Sequence, residues 1–203
     1  GNWSFGVQEP LGLGDMSEGN GSIPGTSDGQ PGHPAGTHED GHDIDIAYYQ
    51  IFSQDNTLRS VCPHTSGGAD QHHCVSEPDN FDVWRTALFL AKLHDASHLR
   101  VIGVDGKIGP MVDSAITQMC NAGWLSGGAC GNSKITYETT NQGQGWYYFH
   151  HHHFHVSSWG TTGNGLNYYP ENQGLCADGC VLPLPDMDPR RVINRSLKPR
   201  LHQ

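Results

Sequence analysis

Gly36-Thr37-His38-Glu39-Asp40-Gly41-His42-Asp43-Ile44-Asp45-Ile46 decides how this chain is read. It offers a histidine, six intervening residues and then an aspartate. From Asp43 to Tyr49 polar and apolar residues alternate and end in aromatics, the pattern of a strand with one buried face. On such a strand Asp43 and Asp45 share one face, and Ile44 and Ile46 the other. His38 precedes it in a loop marked by Gly36 and Gly41, which can fold back beside Asp45. The counterpart lies far downstream, in His153-Phe154-His155-Val156. Residues 146–156 are aromatic and β-branched and read as a second strand, with His153 and His155 on one face and Phe154 on the other. Two such strands, side by side, supply three metal ligands of mixed nitrogen and oxygen type and one spare base. That is the inventory of a catalytic zinc site, in which three protein groups bind the ion and one position stays open.

With these residues the chain resembles a metallopeptidase group that includes lysostaphin-type enzymes, D-Ala-D-Ala peptidases and the hedgehog signalling domain. Gly32-His33, Thr37-His38 and Gly41-His42-Asp43-Ile44-Asp45-Ile46 look most like the penicillin-insensitive murein endopeptidase branch. That branch carries Gly-His, Ser-His and Gly-Leu-Asp-Val-Asp. Here Thr37 stands for the usual Ser and His42 for the usual Leu, with a residue or two extra after His33. The resemblance covers the two motif strands and is thinner over the helical middle. It implies one Zn2+ per chain held by His38, Asp45 and His155, with His153 as catalytic base. It also implies a substrate: the peptide cross-links of bacterial peptidoglycan, with a D-configured residue on at least one side of the amide. His33, His42 and His151 are candidates for further ligands or for groups that hold the ligands in place.

The 203 residues suit a single domain, with residues 1–30 an irregular arm and 182–203 an extended tail. No apolar run is long enough to span a membrane. No signal peptide is visible, which suits a processed form of a secreted protein. The formal net charge of -10 argues against a nucleic-acid partner and gives no attraction to anionic wall polymers. Oligomeric state is not legible. Six cysteines fall in three local pairs, Cys62 with Cys74, Cys120 with Cys130 and Cys176 with Cys180. An even count in Gly-rich intervals suggests short-range disulfides and an extracellular or periplasmic location. A rival reading uses Cys62-Pro63-His64 and His72-His73-Cys74 as a second metal site.

Between the motif strands lies a helical middle. Residues 55–79 form a long polar loop, which in a compact domain is functional or stapled. Residues 79–96 read as a helix with Phe81, Trp84, Leu88 and Ala91 on one stripe and Asp79 or Asn80 as cap. Residues 100–104 are a short strand. Residues 110–122 are a second helix that buries Val112, Ala115, Ile116 and Met119 and stops at Gly123. Residues 127–144 and 160–172 are polar and turn-rich. The expected fold is α+β: a small central antiparallel sheet carrying the zinc site, flanked by helices and long disulfide-stapled loops.

The chain has 14 histidines, so chance pairs are common and neither motif is specific alone. Their order, and the strand pattern around each, carries the reading. His150 to His153 is internal and flanked by aromatics, unlike an affinity tag; on a strand His151 would share the face of His153. Glu39, Asp40 and Asp43 read as solvated or supporting groups. Two functional classes follow. One is a secreted zinc peptidase, acting on cell-wall peptides or on protein substrates. The other is a zinc-bearing binding module without turnover, for which the base at His153 would be dispensable.

Overall fold

Four strands build the principal sheet of the computed structural model, which describes residues 11–51, 55–131, 134–138 and 150–159. All of these fall in a compact unit spanning residues 1–161. In chain order the elements are β1 (Asp43–Ala47), β2 (Thr65–Ser66), β3 (Ala69–Asp70), α1 (Val83–Leu93), β4 (Leu99–Asp105), α2 (Ile108–Asn121), α3 (Gly127–Gly131), β5 (Ile135–Glu138) and β6 (His153–Ser158). The fold is α+β. The sheet order is β1-β6-β4-β5, and β2 and β3 form a separate hairpin. β6 runs antiparallel to both β1 and β4, while β4 and β5 are parallel, so the sheet is mixed.

The two motif segments are therefore adjacent strands. Their register sets Asp45 opposite His155, Ala47 opposite His153 and Asp43 opposite Ser157. Residues opposite each other on antiparallel strands project to the same face within contact range. Alternation sends Phe154 to the other face. There it is fully buried and meets the rings of Tyr48 and Phe89 at 5.7 and 5.9 Å between centroids. Leu90, Ala87, Ile102, Val104, Ile108 and Val112 complete this core. One face of the sheet thus packs on helices, and the other carries imidazoles and carboxylates.

Helix α1 starts later than the apolar stripe suggests. Asp82, not Asp79 or Asn80, caps it, accepting from the Arg85 backbone N–H at 2.9 Å. The buried positions are Arg85, Thr86, Ala87, Leu90 and Ala91, whereas Trp84 is 48% exposed. The shift follows from Phe81, which bridges to Gln50 ahead of the helix and takes no part in its stripe. Arg85 is tolerated inside because its guanidinium meets Asp82 at 2.6 Å and donates to the Gln50 carbonyl at 2.7 Å. Helix α2 buries Val112, Ala115, Ile116 and Met119 as its periodicity predicts. Gly123 follows at φ +73, the left-handed conformation that ends a helix. The stretch 127–144, read as turn-rich, holds α3 and strand β5.

Disulfides join Cys62 to Cys74 and Cys120 to Cys130, as the local pairing suggested. The rival assignment of Cys62 and Cys74 to a metal falls with the first of these. The Cys176–Cys180 pairing, the tail at 182–203, the loop at 160–172, the first ten residues and positions 146–149 of the second motif strand lie outside the described residues. From residue 11 onward the N-terminal arm is zipped to β1. Gly14 N–H donates to Asp45 O at 2.8 Å, Asp45 N–H to Asp15 O at 3.0 Å and Ala47 N–H to Gly12 O at 2.9 Å. The approach needs glycine: a Cβ at Gly14 would stand 3.0 Å from Asp45 Cβ. Among the described residues no helix is long and apolar enough to cross a membrane.

Candidate metal centre

Asp45 is the hub. Its Oδ1 lies 3.0 Å from His155 Nδ1, 3.4 Å from His38 Nε2 and 3.4 Å from His153 Nε2. His38 Nε2 and His155 Nδ1 are themselves 3.0 Å apart. Three groups from a loop, from β1 and from β6 thus form a triangle with sides of 3.0, 3.0 and 3.4 Å. Zinc-type bonds of about 2.0–2.1 Å in tetrahedral geometry place ligand atoms about 3.3–3.4 Å apart. The triangle matches that spacing to within a few tenths of an ångström, so these residues fit a metal ion. All four side chains are buried, with His38 1%, Asp45 4%, His153 6% and His155 2% exposed.

His38 reaches the cluster through a strained turn. Its φ is +53, as is that of Asp40, while Gly36 and Gly41 also sit at positive φ. A non-glycine residue in this region costs about 1–2 kcal/mol, and such outliers gather where geometry is imposed by function. The turn is held by Asp40 N–H donating to Gly21 O at 2.8 Å and by Thr37 donating to the Pro34 carbonyl. The His33 ring lies against that of His38, centroids 3.7 Å apart and planes tilted by 31°, and its Nε2 meets Asp15 at 2.8 Å. His33, His38 and Asp45 alone already present ligand atoms within 4.8 Å of one another.

His155 is oriented from behind. Its Nε2 donates to Asp43 Oδ1 at 2.8 Å, leaving Nδ1 toward Asp45 and His38. A carboxylate behind a histidine fixes ring and tautomer for metal binding. Asp43 is in turn approached by Arg100 at 3.6 Å, and Arg100 also donates to Ser157. Burial disfavours ionisation of Asp43, but hydrogen bonds from His155 and Ser157, and the Arg100 charge, hold its carboxyl below the usual range. Burial opposes ionisation of Asp45 too, and hydrogen bonds from His155 and His38 more than offset it. His155 goes the other way. Burial works against its charge, yet Asp43 and Asp45 raise its pKa above the usual value. His155 thus lies between two carboxylates, 2.8 Å from Asp43 and 3.0 Å from Asp45.

His153 behaves differently from its neighbour. Burial drives its pKa well below the usual histidine range, only partly countered by the Asp45 charge. It is a neutral imidazole at the edge of the cluster, 3.4 Å from Asp45 Oδ1. Its Nδ1 contacts His152 Nδ1 at 2.7 Å.

The structure brings together His38, Asp45, His153 and His155, with His33 against them. His42 is met at its backbone, where its carbonyl accepts from Ser158 N–H and Oγ–H at 2.8 and 3.0 Å. His151 does not share the face of His153, because residues 150–152 form a turn before β6 begins. His150 takes that place, 4.9 Å from His153 between ring centroids, while His151 stacks on His64 at 4.6 Å. Burial, then His152 and His64, push the His151 pKa down to about 4. Asp43 as the partner of His155 was signalled by its place two residues before Asp45. His150 and Arg100 carried no comparable signal.

Buried His and Asp groups here could hold a metal ion, and the disulfides fit an oxidising, extracellular setting. Compared with protein-family models, with curated proteins and with solved structures, the chain finds no match in any of the three.

Proposed function

We propose that this protein is a secreted zinc-dependent peptidase of the murein endopeptidase type, hydrolysing amide cross-links of peptidoglycan that involve D-amino acids. One observation carries the chemical part: the His38–Asp45–His155 triangle at metal-ligand spacing, with the neutral His153 beside it. Two neutral imidazoles and one carboxylate suit a zinc-type ion. When bound, such an ion supplies Lewis acidity, polarising an amide carbonyl and bringing the pKa of water toward neutrality. The substrate class rests on the motif resemblance alone.

In this reading each residue of the chain has a separate task. Asp45 contributes the anionic ligand and spaces both histidines about one oxygen. Asp43 holds His155 with Nδ1 forward. His153, 3.4 Å from Asp45 and not itself a ligand, accepts a proton from attacking water and returns it to the leaving amine. Arg100 and Ser157 brace Asp43 and stay outside the chemistry.

The test is digestion of purified peptidoglycan, with mass spectrometry of released muropeptides, run on the wild type and on His153→Ala. The variant should keep its ion and lose about 10²–10⁴ in turnover, the usual worth of a general base. Intact zinc binding with no released muropeptide from the wild type leaves the binding module. Full activity of His153→Ala assigns the base elsewhere.

A further inference from the structure

A second group of ligating side chains lies outside the centre described above. His64, Asp70 and His151 present ligand atoms that all lie within 4.8 Å of one another. The local fold places them there. Gly67 and Gly68, at φ +59 and +82, make a two-residue turn between β2 and β3. That turn pairs Thr65 with Asp70 and so sets Asp70 next to His64. His64 Nδ1 lies 3.1 Å from Asp70 Oδ1, which also accepts from the His72 backbone N–H at 2.8 Å. The Cys62–Cys74 disulfide closes the base of this hairpin. Val61 N–H donates to the His151 carbonyl at 3.0 Å and ties that base to the turn before β6.

His151 is the informative member. It is 5% exposed, it stacks on His64 at an interplanar angle of 21°, and its Nδ1 is buried with no hydrogen-bond partner. Buried polar atoms are almost always paired, and the ring's hydrogen bond with the His72 backbone leaves Nδ1 unmatched. A cation drawn into the group supplies one. The side chains of His64 and Asp70 are 31% and 42% exposed, so they can turn the short distance that closes 4.8 Å to bonding reach. Two imidazoles with one carboxylate select zinc-like transition ions over magnesium or calcium. The open side of His64 and Asp70 admits water to complete the coordination.

We propose that His64, Asp70 and His151 form a second divalent transition-metal site, separate from the His38–Asp45–His155 centre, which tethers the stapled hairpin to the segment leading into β6. Its occupancy sets how firmly the hairpin is held beside the strand that carries His153 and His155.

The experiment is titration of the chelator-stripped full chain with Zn2+ by calorimetry and with Co2+ by visible absorption. Wild type should bind two ions. Asp70→Asn and His64→Ala, at an exposed and a half-buried position, should each bind one tightly, with the other weakened at least tenfold. His38→Ala should also retain one, and His38→Ala combined with His64→Ala none. Zn2+ should slow amide hydrogen exchange over residues 64–72 in wild type and in His38→Ala, but not in His64→Ala. Two tight ions in His64→Ala, or a single ion in wild type that His38→Ala abolishes, overturns the second site. One ion in both wild type and His38→Ala supports it and removes the first site instead.

Discussion

At the scale of single residues, proton and metal compete for one position. His155 sits between Asp43 and Asp45, whose carboxylates raise its pKa against the effect of burial, so protons compete with an incoming ion more strongly than at a free histidine. Metal affinity should therefore fall as pH drops, beginning above the range of a free histidine. Asp43→Asn tests the support from behind: loss of the anion that orients His155 should weaken metal binding by about 10–100-fold, read by competition with a chromophoric chelator. These residues were legible because strand alternation is a strict rule. Asp43, Asp45, His153 and His155 could be assigned to faces from the period of two alone. The run from His150 to His152 was not legible, since nothing in four consecutive histidines marks where a turn yields to a strand. His150 rather than His151 therefore neighbours His153. Asp15, which meets His33, comes from an arm with no periodicity to follow.

Among the elements, α2 was read almost to its ends because its apolar stripe, Pro110 and Gly123 agree. α1 was misphased because Phe81, apolar and correctly spaced, belongs to the segment before the helix. β5 was missed because its partner β4 is parallel and non-local, and Ile135-Thr136-Tyr137-Glu138 is too short to announce itself. The junction of α1, α3 and β5 yields a pH prediction. His94, at the C-cap of α1, lies with Nδ1 3.4 Å from Ala129 O and accepts from Lys134 N–H through Nε2 at 3.4 Å. Burial lowers its pKa, outweighing its bond to Ala129. The unfolded chain takes up this proton near about pH 6.5, while the folded chain resists it until lower pH. Stability from this group is thus complete above that value and declines as pH falls below it. Thermal unfolding followed from about pH 8 to 5 should show a steeper acid loss in wild type than in His94→Gln, and parallel curves would remove His94 from the account.

At the scale of the whole molecule, the two disulfides among the described residues close loops of 12 and 10 residues by sequence separation. Each restricts the unfolded chain and is worth about 3 kcal/mol. The paired change Cys62→Ser with Cys74→Ser should lower the denaturant midpoint accordingly, and an unchanged midpoint would assign hairpin stability elsewhere. The α+β class and the meeting of the two motif strands followed from the chain, whereas the parallel pair did not. The docking of residues 12–15 along β1 has a consequence for how these molecules meet each other. Without that segment, β1 would present a row of bare amides and carbonyls, a template for pairing with a neighbouring copy. A chain beginning after residue 16 should accordingly associate at concentrations where the full chain does not, as sedimentation velocity would show. On this view the arm is a built-in competitor that denies the sheet rim to other chains.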